Sequence, residues 1–281
     1  MAAIETNTKI ALHLRSNSLP SVPHPLVSQF EDNLQRLKSS EGASSVSSSS
    51  ICNELNGMQD LHDCIDNLLQ LPIEQQALAH ECNEKSNDEL LERSLRILDI
   101  CSAAKDFLSL SKGNMHELQS VIRRRGIKTG LTLEGVKYLA LRKNMKKQIR
   151  KALVNLKSMK NELIVSSSPM LGFLNEAETV TLCSLEHLLL FISDPKGNPK
   201  HSRWSAISKL MPSKRAVCDF HELETNEFQK VDAALKSSSS ENFQSHMENL
   251  EMCIQDLEIG VEQISRKLIR NRVSLLNIFN H

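Results

Sequence analysis

The sequence predicts an all-α fold, a bundle of long antiparallel helices with Ser-rich loops and a disordered N-terminal tail. In the last part of the chain, apolar residues recur with gaps of four and three, which is typical of a long helix with one buried face. Aromatic residues make up only 4% of the chain and glycines number nine, which disfavours a sheet protein. Serine runs separate the apolar segments, as expected of loops. The heptad positions are Phe243, Met247, Leu250, Ile254, Leu257, Val261, Ile264, Leu268, Asn271, Leu275 and Ile278.

The chain divides into a disordered tail, residues 1–24, and a helical bundle, residues 25–281. Pro20, Pro23 and Pro25 disfavour helix and sheet at the end of the tail. Proline suits the first position of a helix, so the first helix is expected to begin at Pro25. Its apolar positions are Leu26, Phe30, Leu34 and Leu37.

Prolines and capping residues predict the next boundaries. After the serine tract at residues 44–50, a helical run of apolar residues begins at Ile51 and ends before Pro72. A short helix follows from about Ile73, and a longer one runs from Asp88 to about residue 124. Each of these segments has a face of apolar residues to bury.

Three more helices are expected before the last one. Thr132 is a candidate N-cap for a helix that ends near residues 166–169, and another runs from about Met170 to residue 192. A third begins at about Asp219, and the serines at 237–240 form a turn and the N-cap of the last helix.

Asn271 is the one polar residue of the final heptad pattern. In a coiled-coil oligomer, a buried asparagine selects register and partner number. Inside a single-chain bundle, it would instead face a loop or water. The second interpretation is favoured because the neighbouring helices can supply the partner face, so a monomer is expected.

Charge is separated along the chain. Residues 51–118 hold thirteen acidic and five basic side chains, whereas residues 121–165 hold thirteen basic and two acidic ones. Helical spacing places a set of these cations, here called the basic face, opposite the apolar stripe. The basic face consists of Lys143, Lys146, Lys147, Arg150 and Lys151.

The basic face has three interpretations. It could pair internally with the acidic segment, dock on an anionic membrane or an acidic partner, or bind nucleic acid. Nucleic acid is disfavoured because the formal net charge is zero and Tyr138 is the one aromatic residue among the cations. Internal pairing is the interpretation that the charge balance favours.

No motif indicates an enzyme, a metal site or a cofactor. The phosphate-binding loop, the hydrolase serine motif and the metalloprotease H-E-x-x-H motif do not occur. His62 and Cys64, like His80 and Cys82, are two residues apart, so on a helix they point in opposite directions and cannot hold one ion. These histidines are expected to face solvent and these cysteines to be buried.

The tail carries a candidate regulatory motif. Arg15 lies three residues before Ser18, and Pro20 follows, a pattern that suits a basophilic kinase and resembles the phosphoserine motif bound by 14-3-3 proteins. The alternative is an unmodified tail in which the match is a coincidence of composition. Both interpretations stay open.

The composition also bears on location. The seven cysteines include no C-x-x-C pair, and most of them lie on apolar helix stripes, as expected of reduced thiols in an intracellular, cytoplasmic protein. No run of eighteen apolar residues predicts a membrane span, and no apolar signal region predicts secretion. A plastid transit peptide stays open because the N-terminal residues are rich in serine and poor in acids.

Several stretches resemble the plant-specific DUF241 family. They read HLRSNSLPSVPHPLVSQFEDNLQRLKSSE at 13–41, SSSSICNELNGMQDLHDCIDNLLQLP at 47–72, SLRILDICSAAKDFL at 94–108, ELQSVIRRR at 117–125 and LIRNRVSLLNIFNH at 268–281. This family is similar to the Bypass-like plant proteins, which are linked to root and shoot development. The resemblance implies a non-enzymatic regulatory or scaffolding protein, with no cofactor and no binding residue to carry over. The alternative is a peripheral membrane protein that docks through the basic face.

Overall fold

A computed structural model describes residues 24–40, 47–81, 84–162, 169–193, 225–237 and 242–280. These residues form eight helices and no strand, which confirms the all-α prediction. The helices are α1 (Pro25–Ser40), α2 (Ser48–Leu69), α3 (Pro72–Glu81), α4 (Glu84–Arg125), α5 (Ile127–Lys160), α6 (Pro169–Ser193), α7 (Glu227–Ser237) and α8 (Phe243–Phe279).

Helix α8 contributes a large part of the core of the bundle. It packs mainly against α2 and α4, with α7 beside its first half. The heptad pattern is the face that it buries, and Leu257 at the middle of this face has no exposed surface. Because a buried leucine contributes about 2 kcal/mol or more through its apolar area, this face supplies much of the stability of the core. The other predicted core residues of α8 are also buried: Leu250, Ile254, Val261, Ile264 and Leu268.

Not every pair of neighbouring helices is antiparallel. Lys267 of α8 binds Asp63 of α2 at 2.5 Å, and farther along both helices Gln70 donates to Ser274 Oγ at 3.2 Å. Residue numbers therefore rise together on α2 and α8, so these two helices run in parallel. In contrast, α4 runs opposite to both α5 and α8. The predicted antiparallel arrangement thus does not describe the α2–α8 pair, whose direction no local sequence pattern encodes.

The corner between α4 and α5 depends on two glycines. Gly126 has a φ of 79°, a left-handed conformation that favours glycine, and it lets the chain reverse within one residue. At Gly130, a Cβ atom would lie 2.5 Å from Ile122 Cγ1, so the two helices approach more closely than a larger residue allows. Helix α5 therefore begins at Ile127. The predicted N-cap, Thr132, lies inside the helix, where its hydroxyl donates to the carbonyl of Thr129 at 3.1 Å.

Two other predicted boundaries differ from the structure. The N-cap of α8 is Asn242, which has a left-handed φ of 56°, and Ser237 is the last residue of α7. Helix α7 begins at Glu227, and the predicted start at Asp219 lies outside the described residues. The boundaries of α1, α4 and α6 agree with the predictions to within a few residues.

Candidate functional site

The outer face of α5 presents unpaired positive charge. Lys143, Lys147, Arg150 and Lys151 are exposed, and none of them forms a hydrogen bond or an ion pair with a described residue. Their spacing of four, three and one residues places them along one side of the helix. Glu134 is the one acidic residue of α5, and it lies 3.7 Å from Lys137, so no carboxylate of the same helix lies beside these charges.

Lys146 is not part of this exposed set, although the sequence placed it in the basic face. Its ammonium group lies 3.0 Å from the carboxylate of Asp232 on α7, and its side chain is 19% exposed. Arg142 reaches the same carboxylate at 3.3 Å and donates to the carbonyl of Ile192 at 3.0 Å. The guanidinium of Arg142 also lies over the ring of Phe228, 4.7 Å from its centroid. Lys146 and Arg142 therefore join α5 to α7 inside the bundle.

Two other cations of the basic segment pair internally. Lys137 binds Glu117 on α4 at 2.5 Å, and Lys160 binds Glu186 on α6 at 2.5 Å. Internal pairing, which the charge balance favoured, therefore describes the sides of α5 that meet its neighbours. It does not describe the outer side.

Exposed valines lie in the same outer row as the cations. Val136 and Val154 are each 67% exposed. Val136 precedes Lys143 by seven residues, and Val154 follows Arg150 by four residues. These intervals match the turns of an α-helix, so the valines and cations share one side. The outer side of α5 thus combines apolar and positively charged groups.

More unpaired cations lie where α4 meets α5. Arg123, Arg124, Arg125 and Lys128 are exposed and form no ion pair with a described residue. Arg123 and Arg124 border a surface groove of about 460 Å³ between α4 and α8. The carboxylate of Glu251, which lies in this groove, is held by His116 at 3.1 Å. That hydrogen bond lowers the pKa of Glu251, so the groove also carries a negative charge.

A polar cluster lies inside the bundle, and the sequence analysis missed it. His62 was expected to face solvent, but it is 5% exposed because it lies on the side of α2 that packs against α6 and α8. Its Nε2 lies 2.9 Å from Thr181 Oγ1, and its Nδ1 lies 3.0 Å from the side-chain amide of Asn271. Burial lowers the pKa of His62 to about 4. The ring is therefore neutral near pH 7, and Asn271 is satisfied inside the chain.

A buried ion pair lies beside this cluster. Arg93 of α4 binds Glu178 of α6 at 2.7 Å, with both side chains less than 9% exposed. Burial raises the pKa of Glu178, although Arg93 opposes the shift. A small cavity of about 50 Å³ lies next to Glu178 and His62. Its size suits one or two water molecules rather than a metabolite.

The described residues offer no metal site, because no group of three or more His, Cys, Asp or Glu side chains converges among them. His80 is exposed on α3, and Cys82 lies outside the described residues. Cys64 is buried and accepts a hydrogen bond from the amide of Asn33 at 3.2 Å. Burial raises the pKa of Cys101 to about 12, so this thiol stays protonated and is a poor nucleophile or metal ligand.

The tail motif of Arg15, Ser18 and Pro20 lies outside the described residues. Among the helices that the structure describes, none combines the length and the apolar character needed to cross a membrane.

A family model described as Protein BPS1 matches residues 54–278. The matched segment begins in α2 and ends in α8, so it includes the basic face and most of the α2–α8 pair. Searches of curated proteins and of solved structures found no match.

Proposed function

The chain belongs to the Protein BPS1 family, the Bypass-like family that its motifs resemble, and from this premise we propose that it is a non-enzymatic regulatory or scaffolding protein of plant root and shoot development. It acts by binding an acidic partner protein through the outer side of α5. The observation that carries this proposal is the set of exposed, unpaired cations Lys143, Lys147, Arg150 and Lys151.

Electrostatics supports a docking role for these side chains. The four cations lie within nine residues, a length of about 12 Å along the helix, and like charges at this spacing repel one another. An acidic surface placed opposite them would relieve this repulsion and speed association. Exposed charges are screened beyond about 8 Å at physiological ionic strength, so binding through this side should weaken with added salt.

A second candidate function is docking on an anionic membrane, which the exposed valines favour. Helices that lie on membranes place apolar side chains at the acyl boundary and cations among the headgroups. Val136 and Val154 could enter that boundary, while each nearby Lys or Arg contributes about 1 kcal/mol next to anionic lipid. A protein partner would need the cations but not these two valines.

Charge reversal separates the two candidates. The basic-face variant, Lys147→Glu with Arg150→Glu, should abolish partner binding. The control is Lys230→Glu with Lys236→Glu, which makes the same change in charge at two exposed residues of α7. Both variants and the wild type would be sedimented with vesicles of phosphatidylcholine, with and without phosphatidylserine. They would also be compared by proximity labelling in plant cells.

Each outcome has a distinct meaning. Loss of labelled proteins in the basic-face variant alone, without vesicle binding by the wild type, supports a protein partner. Salt-sensitive binding to anionic vesicles that the basic-face variant loses supports the membrane, and Val136→Ser with Val154→Ser should then weaken it as well. If the basic-face variant and the control behave alike in both assays, the outer side of α5 is not the docking site.

We propose that the tail regulates this docking through Ser18. A phosphate there would add a charge of about −1.5 to −2, which the arginine cluster of a 14-3-3 protein can bind. A peptide of residues 12–25 phosphorylated on Ser18 should bind 14-3-3, whereas the unmodified peptide and one phosphorylated on Ser16 should not. Isothermal titration of the three peptides tests this, and equal binding by all three would remove Ser18 from the proposal.

A further inference from the structure

Helix α8 carries a second heptad row on the side that faces solvent. Met252, Ile259, Arg266 and Val273 are seven residues apart, and the three apolar members are 61%, 54% and 48% exposed. Ile269, beside this row, is 51% exposed. The inner row packs against the chain's own helices, so the outer row is an additional apolar stripe that no described helix covers.

We propose that this outer row is the interface of a homodimer, in which α8 packs antiparallel to α8 of a second copy. Repeats of seven residues are the spacing at which two helices stay in contact along their length. An antiparallel pair with its two-fold axis between residues 262 and 263 places Met252 opposite Val273 of the second copy. The same alignment places Ile259 against the alkyl chain of Arg266 of the second copy.

Charge complementarity selects a second copy and this orientation. The exposed acids Glu248 and Asp256 lie in the first half of α8, and the exposed cations Arg266 and Arg270 lie in the second half. In the antiparallel alignment Asp256 lies one residue from the position opposite Arg270 of the second copy, and the two-fold axis repeats this acid–base pair at the other end of the contact. A parallel pair would place each charge against its own copy, which is destabilising.

The charged groups involved are available for new contacts. Asp256 forms no hydrogen bond or ion pair with a described residue. Arg270 is 55% exposed and lies 3.7 Å from Asp63 and 3.6 Å from Asp66, distances too long for strong hydrogen bonds. Arg266 binds Glu262 of its own helix at 3.0 Å and keeps 65% of its side chain exposed. Exposed pairs of this kind are weak and can rearrange.

The length of the row suits a stable dimer. From Met252 to Val273 it extends about 32 Å along the helix axis. Stable protein interfaces bury about 1,200–2,000 Å² in total, a range that contacts along two such helices and their flanks can reach. A groove of about 350 Å³ between α2 and α8 borders Ile259, and it leaves room for side chains of the second copy. The basic face lies on α5, so this proposal does not depend on the proposed function.

Light scattering during gel filtration of the full chain tests the dimer. The wild type should show twice the 31.6 kDa of one chain at micromolar concentration. Ile259→Asp should raise the dimer dissociation constant at least tenfold, whereas Val136→Asp, which changes a similarly exposed valine on α5, should not. A wild-type monomer, or a dimer that Ile259→Asp leaves intact, would overturn the proposal.

Charge exchange and cross-linking test the orientation. Asp256→Arg and Arg270→Asp should each weaken the dimer, and the two together should restore it because the pair is reformed with its signs exchanged. Gln263→Cys lies next to the proposed two-fold axis and should form a disulfide between copies on oxidation, whereas Met252→Cys alone should form none. The wild type is the control for its native cysteines. Cross-linking of Met252→Cys, or no recovery in the double variant, would contradict an antiparallel pair.

Discussion

Two buried polar side chains, His62 and Asn271, meet where α2 and α8 run side by side. A neutral imidazole has one nitrogen that donates and one that accepts, so it can satisfy both Asn271 and Thr181. A protonated ring has two donors and a positive charge, and both described partners of the ring, Thr181 and Asn271, are uncharged. Burying that charge is unfavourable, which is the physical reason for the low pKa of His62.

This arrangement predicts a specific dependence of stability on pH. The pKa of His62 falls from 6.5 to about 4 on folding, so the unfolded chain takes up a proton first as the pH decreases. The histidine should therefore reduce the free energy of unfolding by about 3 kcal/mol in total between pH 6.5 and pH 4, with no effect at higher pH. His62→Gln should remove this part of the slope, whereas His80→Gln, an exposed control on α3, should retain it. Urea unfolding at several pH values measures the slopes, and equal slopes in both variants would contradict the assignment.

Asp232 is the partner on which two cations of α5 depend. Arg142 is 1% exposed, so Asp232→Asn would leave a buried guanidinium without its counter-charge. We expect a loss of about 3–5 kcal/mol in the free energy of unfolding. Asp60→Asn is the matched control because the Asp60–Arg36 pair has both side chains 58% exposed, and its loss should be below about 1 kcal/mol. Similar losses in the two variants, measured by urea denaturation, would mean that burial does not set the strength of these pairs.

At the scale of helices, close approach decides what a glycine contributes. Gly130→Ala should destabilise the protein, because its Cβ would lie 3.0 Å from the backbone Cα of Ile122 on α4. Gly113 lies inside α4, where an added Cβ would meet no neighbouring atom within 4 Å. Gly113→Ala should therefore stabilise the helix by about 0.5–1 kcal/mol. Thermal unfolding of the two variants compares them directly. A gain in melting temperature for Gly130→Ala would show that the α4–α5 contact can relax.

The sequence predicted helices better than it predicted contacts between them. The heptad spacing of α8 is local information, so its length and its buried face could be predicted. The partner of Lys146 could not, because Asp232 lies 86 residues later on a helix whose orientation no pattern reveals. His62 was placed in solvent for a similar reason, since the polar residue that meets it lies 209 positions away. Gly126 after three arginines was a signal for the left-handed turn, and it was missed.

At the scale of the whole molecule, the separation of charge along the sequence is only partly cancelled in the fold. Acids of α8 meet cations of α4, as in the contact of Glu258 with Lys112 at 2.8 Å, and Lys267 meets Asp63 on α2. These contacts neutralise charges on α2, α4 and α8. The cations on the outer side of α5 have no acidic helix opposite them among the described residues. A net charge of zero therefore conceals a surface with one strongly positive side.

The long buried face of α8 leads to a prediction about truncation. Helices α2 and α4 each bury a large apolar side against α8, although α4 packs almost as extensively against α5, so a chain that ends after residue 241 would expose the surface under α8 to water. We expect it to retain helical circular dichroism but to lose cooperative unfolding and to bind the dye ANS. Removal of residues 1–24, the predicted tail, is the control and should leave the melting temperature unchanged. If the chain without α8 still unfolded cooperatively, α1–α7 would form a core of their own, and α8 would be a layer added to that core.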